Sequence, residues 1–277
     1  MSKIKFKKVH YPDGSFYPQI EEFGDELLFF INSYNDLWFL RQIKDICDHN
    51  KQEVNLIIPC LFDAQADRRF NKNESANLRL ICEFINSMNF KTVQVFHPHN
   101  QEVVEALLNN VEFIDNYKFM FTVLQTISDS PNAWIGNDSF QNKTVLLSAD
   151  AGGYKWIMKL ADKLNWKGEV FSASKSRKFE NEKSVITQLV DRDDFGGKDV
   201  IIADDLMIGG GTFIGLAKLL RERNVGRLYL AVSHITIPKP NPLVFEYFDN
   251  VFTTNSKDLN YFDEQNHPEN LDVIQLF

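Results

Sequence analysis

The stretch VIIADDLMIGGGTFIGLAKLL, residues 200–220, places two adjacent aspartates, three consecutive glycines and a threonine between an apolar run and a helical pattern. Carboxylates at Asp204 and Asp205 suit sugar hydroxyls, which donate hydrogen bonds to them, or a magnesium ion; neither acid holds phosphate directly. Gly209, Gly210 and Gly211 let backbone N–H groups approach a ligand without Cβ clashes, and Thr212 is placed to cap the next helix and offer a hydroxyl. Amides at a helix start attract phosphate. The chemistry these residue types suit is therefore recognition of a phosphorylated sugar. The stretch lacks the lysine of a P-loop and the spacing of the dinucleotide fingerprint.

The elements that must position these residues are legible around them. Val200 to Ala203 is a short apolar run of the kind that forms a buried parallel strand, and Phe213 to Leu220 has helical apolar spacing. Along the chain, Val54 to Leu61, Thr92 to Phe96, Thr144 to Ser148, Glu169 to Ser172, Val200 to Ala203 and Arg227 to Val232 are predicted strands. Asp36 to Asp48, Asn77 to Met88, Gln101 to Asn109, Tyr154 to Leu164 and Thr212 to Arg223 are predicted helices. That alternation is the pattern of parallel sheets with crossover helices. Residues 128–143 are rich in turn formers and lack periodicity, so a domain junction is expected there, with each half holding its own sheet.

Further segments could carry chemistry. TVLLSADAGGYKWIMKLADKL, residues 144–164, repeats the plan of strand, acid, glycines and helix. FSASKSRKFE, residues 171–180, is a basic polar segment. IPCLFDAQADRRF, residues 58–70, ends an apolar strand with acids and two arginines, VFHPHN follows another strand with His97 and His99, and HYPDGSF lies near the start.

An apolar strand followed by D-D and G-G-T resembles the 5-phosphoribosyl diphosphate motif shared by phosphoribosyltransferases and ribose-phosphate diphosphokinases, also called PRPP synthetases. The order of the other segments, from Tyr11 to Ser256, resembles the PRPP synthetases, with departures of a divergent member. The resemblance implies an α/β fold of two phosphoribosyltransferase-like (Rossmann-like) domains, each a mainly parallel sheet flanked by helices. Residues 1–142 would form the ATP side and 143–277 the ribose 5-phosphate side, the last residues packing back on the first domain. It further implies Mg2+-dependent transfer of the β,γ-diphosphoryl group of ATP to ribose 5-phosphate, giving PRPP and AMP, in nucleotide biosynthesis.

Carried onto this sequence, the resemblance gives Lys175 and Arg177 as catalytic cations of a mobile loop, and Asp204, Asp205, Gly209, Gly210, Gly211 and Thr212 as the ribose 5-phosphate site. Tyr11, Asp13, Gln65, Asp67, Arg68, Gly152 and Gly153 would bind ATP, and His99 and Asp150 would bind magnesium. Five positions depart from the pattern. Ala149 replaces a proline, Gln65 and Ala66 replace an R-Q pair, Ser15 replaces a glutamate, and Ile208 replaces a polar residue. Two other functions share parts of this pattern: a phosphoribosyltransferase that consumes PRPP and a base, and a non-catalytic regulatory subunit that keeps the fold.

Composition narrows the classes. The 277 residues are 44% hydrophobic and 25% charged, as in ordinary globular proteins, with a formal net charge of −8. That charge argues against broad nucleic-acid binding. No apolar stretch reaches membrane-spanning length and the start lacks a signal-peptide core, so cytoplasm is expected, with no membrane partner. The resemblance implies a homo-oligomer, dimer or higher. Cys47, Cys60 and Cys82 have no metal-ligand spacing and are expected as buried thiols.

Overall fold

The computed structural model describes residues 2–69, 71–128, 138–180, 183–237, 240–257 and 267–277; the side chains of residues 138, 175–180 and 183–188 lie outside the description. The chain divides into two compact units. The first holds Met1–Asp115 with residues 256–257 and Phe277; the second holds Asn116–Asn255 and residues 267–276.

In the first unit β1 (Lys5–His10) and β2 (Phe16–Glu22) form an antiparallel hairpin. Then come β3 (Glu26–Leu28), α1 (Tyr34–His49), β4 (Asn55–Ile58), α2 (Asn77–Asn86), β5 (Thr92–Phe96), α3 (Gln101–Leu107) and β6 (Val111–Ile114). The last four strands make a parallel sheet in the order β3-β4-β5-β6. The helices form because their apolar residues recur on one face: α2 buries Leu78, Ile81, Cys82 and Ile85. Helix α1 starts at Ser33, whose N–H and hydroxyl both donate to the Asp36 carboxylate, at 2.8 and 2.9 Å. The late chain reaches this unit twice. Lys257 Nζ donates to the Ile31 carbonyl at 2.8 Å, and Phe277 lies edge-on to Phe96 at 5.3 Å.

The second unit contains α4 (Tyr117–Ile127), α5 (Asp138–Asn142), β7 (Thr144–Ser148), a 3-10 turn (Ala151–Gly153), α6 (Tyr154–Lys163), β8 (Glu169–Glu180) and β9 (Lys183–Val190). It continues with β10 (Asp199–Met207), α7 (Gly211–Arg221), β11 (Leu228–Ile235), α8 (Leu243–Tyr247), β12 (Asn250–Thr254) and β13 (Leu271–Ile274). The sheet order is β13-β12-β11-β10-β7-β8-β9, parallel throughout except for the β8–β9 pair. Val200, Ile202, Leu228 and Leu230 face a core that includes α7. Ile201, Ala203, Tyr229 and Ala231 face a second core that includes α4 and α6. Burial on both faces is why these strands read as unbroken apolar runs.

Several elements differ from the sequence expectation. Strand β8 runs on past Ser172 to Glu180, because only Glu169–Ser172 pairs with β7 while Ala173–Glu180 pairs with β9 alone. Among the described residues that outer part pairs with one strand only, and its sequence carries no apolar run. Helix α4, which precedes the turn-rich stretch, buries Phe119, Met120, Val123 and Leu124 in the core of the second unit. All three cysteines are buried, as expected.

Candidate functional site

The second sheet reverses direction at β7. From β7 the chain steps through α6 to β8 on one side, and β10 then lies on the other side of β7. Helices α6 and α7, which follow β7 and β10, pack on opposite faces of the sheet. Open α/β sheets bind ligands at such a reversal, outside the carboxyl ends of the strands. Ser148 pairs with Ala203 as the last partners of β7 and β10. Beyond them β7 turns away at Asp150, while β10 runs on against β11, with Leu206 opposite His234. Both acid-and-glycine segments therefore start side by side.

Asp204 and Asp205 occupy the part of β10 that has lost its β7 neighbour, and both are half-buried. The Asp205 N–H donates to Asp204 Oδ1 at 2.9 Å. Burial, and then the Asp205 charge beside it, push the Asp204 carboxyl well above the usual carboxylate range, with the Asp150 charge adding to the effect. Three carboxylates thus share one field at the strand ends. Such a group suits hydroxyl donors or a hard cation, and magnesium is bound by one or two carboxylates together with substrate phosphates. Among the described residues no cluster of three or more histidine, cysteine or acidic side chains is arranged to hold a metal by itself.

The glycines divide into two kinds. Gly210 caps α7 with φ +77°, and a Cβ there would lie 2.4 Å from Val244 Cγ2. It is glycine because the fold requires it. A Cβ on Gly209 or Gly211 would meet no heavy atom within 4 Å. Nothing among the described residues asks for glycine at those two positions, and the space beside them is open. Thr212 is the second residue of α7 rather than its cap, because the left-handed Gly210 already turns the chain into the helix.

The second loop is held by its own acid. Asp150 Oδ1 accepts from Gly152 N at 3.0 Å and Gly153 N at 3.2 Å. Its carbonyl accepts from Ser148 Oγ at 2.7 Å and Ser172 Oγ at 3.1 Å. A Cβ on Gly153 would lie 2.5 Å from Ser148 Oγ, which explains the second glycine. Ser172 is the contributor that motif reading passes over, because its bond to the Asp150 carbonyl arises from the pairing of β7 with β8; Ser148 stands in the SADAGG segment itself. Lys175 and Arg177 lie on the β8 arm, their backbones opposite Gln188 and Ile186; their side chains are outside the description. They stand on a hairpin strand rather than in an irregular loop.

The carboxyl edge of the first sheet carries the remaining candidates. Asp67 Oδ2 accepts from Asn100 Nδ2 at 3.3 Å, which joins the segment after β4 to the HPHN turn after β5. His99 in that turn is exposed, and Asn100 caps α3. His97 has φ +36° and Asp63 φ +53°, so both turns use left-handed backbone. Gln65 and Arg68 are exposed. In the β1–β2 turn, Asp13 Oδ1 accepts from the Ser15 N–H and hydroxyl at 2.9 and 2.7 Å, bonds that hold its carboxyl below the usual range. Tyr11 closes this turn, its N–H donating to the Ser15 carbonyl at 2.8 Å, and its ring stacks on Tyr17 at 5.4 Å.

These features define an α/β protein of phosphoribosyltransferase-like fold with two acid-and-glycine segments side by side at its sheet reversal. The Phosphoribosyl transferase domain family matches residues 130–266. The chain is 20% identical over 243 residues to a ribose-phosphate pyrophosphokinase of Saccharolobus solfataricus, covering 84% of this chain and 77% of that protein. It is 22% identical over 241 residues to that of Sulfolobus acidocaldarius, covering 83% and 76%. Phosphoribosylpyrophosphate synthetase from Mycobacterium smegmatis shares the fold at a TM-score of 0.74 and 16% identity, covering 98% of this chain and 86% of that one. These likenesses support a divergent relative of the PRPP synthetases. Among the described residues no helix is long and apolar enough to cross a membrane.

Proposed function

We propose that this chain is a ribose-phosphate diphosphokinase that works in the cytoplasm as a homo-oligomer. The 1-hydroxyl oxygen of ribose 5-phosphate bonds to the β-phosphorus of ATP as the bond from that phosphorus to the α,β-bridging oxygen breaks, giving PRPP and AMP. The observation that carries the reading is the Ser148–Ala203 pairing, which sets two acid-and-glycine segments beside each other at one sheet reversal.

In this reading residues 143–277 form the ribose 5-phosphate domain. Asp204 and Asp205 accept from the ribose hydroxyls, and the amides from Gly209 to Thr212 hold the 5-phosphate, close to the two glycines whose Cβ positions are open. Residues 1–142 form the ATP side, where Tyr11, Asp13, Gln65, Asp67 and Arg68 meet the nucleotide. Asp150 and His99 would hold Mg2+, which when bound withdraws charge from phosphorus and orients the phosphates. Once the Asp150 carboxylate turns to a cation, the Gly152 and Gly153 amides it now occupies become donors for a phosphate. Lys175 and Arg177 neutralise charge on the moving diphosphate.

The test is AMP release from ATP and Mg2+, with and without ribose 5-phosphate and with no base present. Release that depends on ribose 5-phosphate supports the reading. Consumption of PRPP with a base instead would make the chain a phosphoribosyltransferase. Inactivity together with tight binding to an active synthetase would make it a regulatory subunit.

A further inference from the structure

The β8–β9 arm leaves the sheet at Ala173, and an ionic and aromatic network sits at its root, separate from the crevice at the strand ends. Glu169, the first residue of β8, accepts on Oε2 from Arg192 Nη1 at 2.6 Å and Lys198 Nζ at 2.8 Å. Arg192 lies two residues beyond the end of β9. Its guanidinium stands 5.3 Å from the Phe171 ring centre and 5.0 Å from that of Phe195, and its Nε donates to the Asp194 carbonyl at 2.8 Å. The two rings meet edge to face at 6.2 Å. Arg223, just past α7, donates through Nη1 to the carbonyls of Val190 and Arg192. Asp194 Oδ1 in turn accepts from Gly196 N at 2.7 Å and Asn224 Nδ2 at 2.9 Å.

Every strand end at the root of the arm is therefore tied. Glu169 and Phe171 belong to the incoming strand, Val190 ends the outgoing one, and Arg192, two residues past it, reaches back to the incoming strand. A planar guanidinium held by a carboxylate and two rings has one orientation, which a lysine could not reproduce. The geometry matters through leverage. Arg177 is four residues out from Ala173, roughly 13 Å at strand rise, so a turn of about 5° at the root moves it by about 1 Å. A misplacement of that size costs on the order of 10²-fold in rate when the displaced group acts on a reacting centre.

We infer that Arg192 is a positioning residue: through Glu169, Phe171 and Phe195 it sets the angle at which the β8–β9 arm leaves the sheet, and with it the placement of Lys175 and Arg177. The catalytic consequence rests on the proposed diphosphokinase reading; the mechanical one does not. The experiment compares wild type with Arg192→Ala and Arg192→Lys by hydrogen exchange of backbone amides, followed by AMP-release kinetics. In both variants exchange in residues 174–190 should quicken about tenfold or more, while β7, β10 and α7 keep their protection. The kcat should fall on the order of 10- to 100-fold, with the KM for ribose 5-phosphate within about twofold. Unchanged exchange in the arm overturns the inference, as does a kcat loss matched by equal loss of protection across the whole second unit. Should Arg192→Ala fail to fold, Arg192→Lys decides alone. If wild type releases no AMP, the diphosphokinase reading fails and exchange by itself decides the role of Arg192.

Discussion

Ala203 and Ser148 are opposite partners at the point where β10 and β7 separate. One residue beyond Ala203 begins the acid pair, and two beyond Ser148 stands Asp150, whose charge reaches Asp204. The relationship explains why two loops about fifty residues apart in sequence start side by side: parallel pairing in register brings both strand ends to the same level, at the sheet reversal.

The glycines of the first loop separate fold from function. Gly210→Ala is expected to destabilise the protein by about 1–3 kcal/mol, since a non-glycine residue there is strained and its Cβ meets Val244. Gly209→Ala and Gly211→Ala should leave the melting temperature within about 2 °C, the effect of well under 1 kcal/mol. They should nevertheless weaken ribose 5-phosphate binding by tenfold or more, roughly 1.4 kcal/mol. Thermal melts and calorimetric titration of all three variants check the contrast; unaltered binding in the Gly211 variant would remove the loop from the site.

Asp204 predicts a pH effect of definite sign. Its carboxyl is raised in the folded protein above the ordinary 3.8. Below that value the group is protonated in both states and its contribution to stability is fully present. As pH rises the unfolded chain ionises first, and the contribution is lost through the raised folded value. Asp204→Asn should therefore raise the melting temperature of the ligand-free protein at pH 8 more than at pH 4, by about 2–4 °C for each kcal/mol regained. The same change should abolish turnover. Melts at both pH values, with equal shifts as the contrary result, decide it.

Much of this site was legible because its chemistry is local in sequence. The D-D and G-G-G runs, the DAGG turn and the strands before them lie within a few residues of one another, and strands buried on both faces announce themselves as apolar runs. What stayed hidden depends on distant partners. Among the described residues the outer half of β8 pairs with β9 only, so it has no strand signal, and the Ser172 contact to the Asp150 carbonyl arises only when β7 and β8 come into register. The helical cap was misplaced by two residues because a left-handed Gly210 does the work expected of Thr212. The Glu169–Arg192 contact joins the two ends of a hairpin and leaves no motif behind.

The thiols should be inert in the folded protein. Burial pushes Cys47 up to about 11 and Cys82 up to about 12, and Cys60 is 5% exposed. A thiol that stays protonated and covered cannot act as a nucleophile. An aromatic disulfide reagent at pH 8 should release almost no colour from native protein and three equivalents per chain after denaturation. Rapid native reaction of one thiol would show that the first unit opens locally around it.

Lys175 and Arg177 carry the sharpest kinetic prediction. Cations that meet charge developing on a diphosphoryl group act in the transition state more than in the ground state. Lys175→Ala and Arg177→Ala should each lower kcat on the order of 10²- to 10³-fold while leaving the KM for ribose 5-phosphate within about threefold. Because one hairpin strand carries both positions, two residues apart, the double variant should lose less than the product of the single losses. Steady-state AMP release by the four proteins measures this. A raised KM at full kcat would assign the pair to substrate capture and leave the diphosphoryl transfer to other groups.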